Sequence, residues 1–91
     1  MQQVDLKLLT VFCAVVENGS MTEAANQLGV NQSAVSQAIQ RLKNQLGTEL
    51  FIRQTRGVKP TAAGRALYNE LSVDLDRIAQ TLTGLSSFDP E

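Results

Sequence analysis

Residues 20–46 read SMTEAANQLGVNQSAVSQAIQRLKNQL, and this stretch decides the fold. Ser20-Met21-Thr22-Glu23 has the form of a capping box. The Ser20 hydroxyl accepts the amide of Glu23, and the Glu23 side chain reaches back to the amide of Ser20. The helix so opened is short, carrying Ala24, Ala25 and Leu28. Gly29 then reverses the chain, because glycine takes positive φ at little cost. Asn31 is a good cap for a second helix, which runs from about Gln32 to Leu46 and is ended by Gly47. Two helices joined by about three residues that include a glycine form a helix-turn-helix, and the small Ala24 and Ala25 let the pair cross closely. An ordinary helical hairpin is the competing reading.

The second of these helices carries more information. At 100° per residue, Val35, Ile39, Leu42 and Leu46 fall within about 40° of one another and form a buried stripe. Ser33, Gln37, Gln40 and Asn44 lie opposite, with Ser36 on one flank and Arg41 on the other. A helix exposed only for solubility usually shows Glu and Lys. Hydroxyls and amides are groups that read base edges, and small residues near the helix start allow deep entry into a major groove. The helix N-terminus offers free amides to a phosphate. The alternative is a plain polar face.

Working outward, Leu6, Leu9, Phe12, Val15 and Val16 space a first helix, with Asp5 as its cap and Asn18-Gly19 as its stop. Cys13 falls inside it, as a packed thiol or, alternatively, a redox or metal group. After Gly47, Leu50-Phe51-Ile52-Arg53 reads as a short strand, Gln54-Thr55-Arg56-Gly57 as a turn and Val58-Lys59 as a return strand. So short a ribbon needs support, expected through Leu50 and Phe51. Its tip carries Arg53, Arg56 and Lys59, placed to follow a phosphate backbone or enter a minor groove as a wing; a solvated hairpin is the alternative. Pro60-Thr61 starts the last element, with Thr61 as cap. Leu67, Leu71, Leu75, Ile78, Leu82 and Leu85 then draw one apolar stripe along about 34 Å of helix. A domain this small cannot cover such a stripe alone. A second copy of the same helix is expected to share it with the first helix. Ser86 to Glu91 reads as a tail with turn chemistry.

Composition excludes several classes. The chain has 91 residues, 43% hydrophobic and 19% charged, an ordinary balance for one small domain. With no histidine and one cysteine, histidine-based metal sites, catalytic triads and internal disulfides are out of reach. No run is long enough to span a membrane, and Met1-Gln2-Gln3-Val4-Asp5 lacks a secretory n-region. A reducing, cytoplasmic setting is expected, with no cofactor, no metal and no enzymatic activity. The formal charge of −1 hides a division. Residues 1–29 carry −2, residues 30–69 carry +5 with Glu49 as their single acid, and residues 70–91 carry −4. A basic middle suggests a polyanionic partner, although an unevenly charged solvated surface gives the same count.

The chain closely resembles the LysR-type transcriptional regulators of bacteria. The matching residues are Leu9-x-x-Phe12, Gly19-Ser20-Met21-Thr22-x-Ala24-Ala25, Leu28, Asn31 to Ser36, Ile39-x-x-Leu42, Leu46-Gly47-x-x-Leu50-Phe51-x-Arg53 and Pro60-Thr61-x-Ala63-Gly64. They cover nearly the whole chain at fixed spacing. The resemblance implies a mainly α fold: a winged helix-turn-helix over residues 1–60, a linker helix that dimerises over 61–86, and a hinge over 87–91. It implies double-stranded DNA as partner, read as a homodimer at a partly palindromic promoter site. It further implies tetramers of the longer protein, and a small-molecule effector held by a C-terminal domain outside these residues, so an excised fragment is expected. Carried over residue by residue, Gln32, Ser33, Ser36, Gln37 and Gln40 become base or nearby phosphate contacts, with Arg41 at the edge of that face. Thr22 and Asn31 become backbone contacts at helix starts. Arg53, Arg56 and Lys59 become wing contacts, and Leu67, Leu71, Leu75, Ile78 and Leu82 the dimerisation seam. Departures from the family pattern are Ser33 for a common proline, Gln37 for a common arginine and Lys43 for a common glutamate, the last making the middle more basic. A winged protein-interaction module with weak or lost DNA binding is the alternative function.

Overall fold

The computed structural model describes residues 5–87, with side-chain surroundings through Gly84. Its elements are α1 (Leu6–Asn18), α2 (Met21–Leu28), α3 (Gln32–Leu46), β1 (Phe51–Arg53), β2 (Val58–Pro60) and α4 (Ala62–Ser87). The helix starts are written in the sequence. Asp5 accepts the Lys7 amide at 3.0 Å, Ser20 Oγ the Glu23 amide at 3.2 Å, Asn31 Oδ1 the Ala34 amide at 2.8 Å, and Thr61 Oγ1 the Gly64 amide at 3.0 Å. Each satisfies an amide that the first helical turn leaves without a partner. Of the capping box, the Ser20 half is formed, and the Glu23 side chain stands exposed.

The core lies where α1, α2 and α3 meet. Phe12, Val15, Val35, Leu42 and Leu50 are its largest fully buried side chains, and Ala24 and Ala25 are buried at the helix crossing. Phe51 stacks on Phe12 with ring centroids 5.4 Å apart at a tilt of 51°, so the ribbon packs through Leu50 and Phe51 as expected. Two positions differ from the stripes read above. Leu46 is 41% exposed: it is the last residue of α3 and projects past the end of the core. Leu6 is 60% exposed, whereas Leu8, Cys13 and Ala14 are buried. Helix α1 contacts α2, α3 and α4, so its buried face is wider than one narrow stripe.

β1 and β2 pair antiparallel with Phe51 opposite Pro60, Ile52 opposite Lys59 and Arg53 opposite Val58. Pro60 thus closes the ribbon rather than opening the helix. The ribbon is held at both ends. The Val58 amide donates to the Gly19 carbonyl and the Thr61 amide to the Leu50 carbonyl, each at 3.0 Å. Helix α4 continues through Ser87, so Ser86 and Ser87 are helical instead of belonging to the tail; Phe88 to Glu91 lie outside the described residues. Its 26 residues span about 39 Å. Leu67, Leu71 and Leu75 are half-buried against the core, and Tyr68 donates to Glu17 of α1 at 2.9 Å. Beyond them Ile78 and Leu82 are 48% and 59% exposed. The stripe is therefore covered along its first half by α1 and left open along its second.

Candidate nucleic-acid interface

The Asn31 cap and the left-handed turn at Gly29, φ 73°, fix where α3 begins. Val35, Ile39 and Leu42 anchor its inner face. Everything opposite is consequently presented outward. Gln32, Ser33, Ser36, Gln37, Gln40 and Arg41 are all exposed, as are Thr22 in the first turn of α2 and Asn31. Asn31 Oδ1 is taken by the cap, which leaves its amide group as the donor toward a ligand. Gln40 Nε2 donates to Asn44 Oδ1 at 3.3 Å, so the two amides lie together. With Gln37, Arg41 and Gln45 they line a shallow surface hollow.

The wing does not present its three cations as one group. By strand alternation Arg53 shares the helix-facing side of the ribbon with Phe51, Val58 and Pro60, while Lys59 and Ile52 take the other side. Arg56 sits in the turn, which closes by the Gln54 amide donating to the Gly57 carbonyl at 3.0 Å. Arg53 lines a groove of about 280 Å³ between α3 and the wing. Ser36, Gln40 and Lys43 of α3 line the same groove, and so do Glu49 and Val58. The structure therefore brings Arg53 to the groove beside α3 and sets Lys59 on the ribbon's other face.

Lys43 and Asn44, which the sequence reading did not name as contacts, border the same surface. Lys43 is seven positions after Ser36 and so shares its flank of the helix, and Asn44 follows Gln40 by four; helical spacing alone places both. Lys43 is not a free cation. Its Nζ lies 2.8 Å from Glu49 Oε2, so its charge is compensated within the chain. Arg65, the sixth cation of the basic segment, is exposed in the first turn of α4. The perturbed ionisable groups belong to the α1–α4 contact instead. Burial, with help from Glu17, pushes the Cys13 thiol up to about 11, which suits a packed thiol rather than a reactive one. Among the described residues no group of three or more His, Cys, Asp or Glu could hold a metal ion.

A helix pair turned by glycine, followed by a basic two-stranded ribbon packed on the same core, defines a winged helix-turn-helix protein. Residues 6–65 match the family described as bacterial regulatory helix-turn-helix protein, lysR family. The chain belongs to this family. It is 43% identical over 90 residues to the HTH-type transcriptional regulator LeuO of Escherichia coli (strain K12), covering 99% of this chain and 28% of LeuO. It is 41% identical over 87 residues to the HTH-type transcriptional activator AmpR of Rhodobacter capsulatus, covering 93% of this chain and 30% of AmpR. Among solved structures, the BenM DNA-binding domain in complex with catB site 1 DNA superposes with a TM-score of 0.86 at 33% identity, over 96% of this chain and 97% of that one. The chain thus spans under a third of the length of these two curated relatives.

Proposed function

We propose that this chain is the sequence-reading part of a bacterial transcriptional regulator, acting in the cytoplasm and without enzymatic activity of its own. Helix α3 enters the major groove and offers Gln32, Ser33, Ser36, Gln37 and Gln40 to base edges or nearby phosphates. Thr22, Asn31 and Arg41 hold the backbone beside it, and Arg53, Arg56 and Lys59 carry the flanking backbone or minor groove. The observation that carries this reading is one surface. A Ser/Gln helix face and an arginine of the wing border a single groove, in a chain similar along nearly its whole length to a domain solved on DNA.

The open half of α4, at Ile78 and Leu82, supplies the pairing surface, extended by the exposed parts of the half-buried Leu67, Leu71 and Leu75. Two copies joined there read a partly palindromic site. Residues 1–60 serve as reader, 61–86 as linker and 87–91 as hinge. Tetramer formation and the response to a small-molecule effector belong to parts of the longer protein that follow the hinge.

The test is selection of bound duplexes from a genomic library at two salt concentrations, followed by a salt titration on the enriched site. Inverted half-sites are expected. Arg41 and the three wing cations of each protomer give a log–log salt slope of about −7 for a dimer. Salt-insensitive binding, or none, would overturn the reading in favour of a protein-interaction module.

A further inference from the structure

The groove between α3 and the wing contains one feature that a phosphate-binding surface does not need. Glu49 is the single acid of residues 30–69, and it lies among the cations. It lines the same groove as Ser36, Gln40, Lys43 and Arg53. Its carboxylate is 2.8 Å from Lys43 Nζ, and the two side chains are 67% and 36% exposed. The carboxylate does not hold the fold. What Glu49 gives to the fold is its backbone carbonyl, which accepts the Thr61 hydroxyl at 2.8 Å and survives any change of side chain. Exposed ion pairs contribute little to stability. Even so, a carboxylate beside a phosphate track acts on binding in two ways. It occupies the nearest lysine, and it repels the polyanion at that point.

We propose that Glu49 is a specificity-determining residue: it withholds Lys43 from the DNA backbone and so limits phosphate-driven, sequence-independent binding. This rests on the DNA-reading function above. Affinity from phosphate contacts is the same for every sequence, whereas base-edge contacts discriminate. One lysine restrained in each protomer lowers affinity for all duplexes. The proportional loss is greatest on random DNA, where no base contact fixes the register of the helix. On a cognate site the docked helix brings Lys43 to a fixed phosphate, and that contact competes with Glu49. Glu49 therefore raises the ratio of cognate to random affinity while lowering both.

The experiment measures binding of the 91-residue chain to the duplex enriched by selection and to a random-sequence duplex of equal length, across a salt series. The variants are Glu49→Gln, Lys43→Gln and the double variant. Circular dichroism on each confirms the wild-type helix content. Glu49→Gln is expected to tighten random-duplex binding about 3- to 10-fold at low salt and to steepen its salt slope by about 0.9 per released lysine. The gain on the selected duplex is smaller, and adding Lys43→Gln removes most of the gain on both, leaving only the part owed to direct repulsion by the carboxylate. Unchanged random binding in Glu49→Gln would overturn the proposal. So would a gain that persists undiminished in the double variant, which would show that Glu49 acts by its own charge and not through Lys43. An equal gain on both duplexes would overturn the specificity role. If the wild-type chain binds neither duplex with salt dependence, the DNA-reading function itself fails, an outcome distinct from these three.

Discussion

Gly64 sets two effects against each other, and the structure decides between them. It lies in the first turn of α4, where replacement of glycine by alanine ordinarily stabilises a helix by about 0.5–1 kcal/mol. At Gly64 an added Cβ would drive into the carbonyl oxygen of Leu50, with the Leu50 carbonyl carbon at 3.2 Å and Pro60 Cβ at 3.3 Å. None of these neighbours is the far end of a flexible side chain. Relief requires α4 to withdraw from the β1 entry by roughly 1 Å to restore normal contact. That withdrawal strains the bonds from the Thr61 amide to Leu50 and from the Thr61 hydroxyl to Glu49, at 3.0 and 2.8 Å. Overpacking of this kind costs about 1–3 kcal/mol, and two weakened hydrogen bonds add roughly 1–2 kcal/mol. After the propensity gain, Gly64→Ala should destabilise by about 1–4 kcal/mol. In a chain of this size that lowers Tm by roughly 5–30 °C. Gly84, also in α4, is the internal control. A Cβ there meets nothing within 4 Å, so Gly84→Ala should raise stability by about 0.5–1 kcal/mol. Thermal and urea unfolding at one fixed protein concentration measure both, since association would otherwise shift the midpoint. A Gly64→Ala chain at or above the wild-type Tm would refute the reasoning, showing that α4 leaves β1 freely.

Three further outcomes are expected. Gln37→Ala should change the preferred sequence in a selection more than it changes affinity for random duplex, because Gln37 is exposed on the reading face; equal losses on both would count against a base contact. Leu82→Asp together with Ile78→Asp should yield a folded monomer by sedimentation, as both residues are about half or more exposed and a buried carboxylate at a seam is costly. Leu75→Asp is the poorer test, since Leu75 also packs on the core of its own chain. Stability should fall in alkali. The Cys13 thiol is held at about 11 against an ordinary 9 by its burial, and the Tyr68 hydroxyl is raised by its hydrogen bond to Glu17. The folded chain therefore binds these protons more tightly than the unfolded one. The stabilisation is complete below about pH 9 and is lost as pH rises through 11. Urea midpoints between those values should decline, and a Cys13→Ala chain should decline less.

The helices were legible because each is delimited by local chemistry. Asp5, Ser20, Asn31 and Thr61 cap, and Gly19, Gly29 and Gly47 end in the left-handed region. These are short-range effects that need no tertiary knowledge. Periodicity was less complete a guide. It gave Val35, Ile39 and Leu42 correctly, but it assigned Leu46 to the core because angle says nothing about where along its axis a helix loses its neighbour. The same blindness applies to α4. A stripe of leucines shows that something covers it, and only the fold shows that α1 takes Leu67 to Leu75 and leaves Ile78 and Leu82 open.

Charge counting pointed to a polyanionic partner but not to which cations are free to meet it. Summed over residues 30–69 it treats Lys43 as one more cation of a basic face. Glu49 is six positions away, and no regular helix would bring the two together on one face. The left-handed turn at Gly47, φ 70°, ends α3 between them, and the chain beyond it carries the carboxylate back to the lysine. Ribbon pairing redistributes the others. Arg53 and Lys59 are both wing cations in the sequence, yet the antiparallel register sends them to opposite faces, so a count of three at the tip overstates what the groove beside α3 receives. What a polyanion meets is set by which charges the backbone leaves unpaired on one face. On that basis Arg53→Ala should weaken binding to the selected site more than Lys59→Ala, although each removes one charge from the same ribbon. Equal losses in a salt-matched titration would mean that the wing acts through its net charge, and that the register of its strands is irrelevant to the DNA.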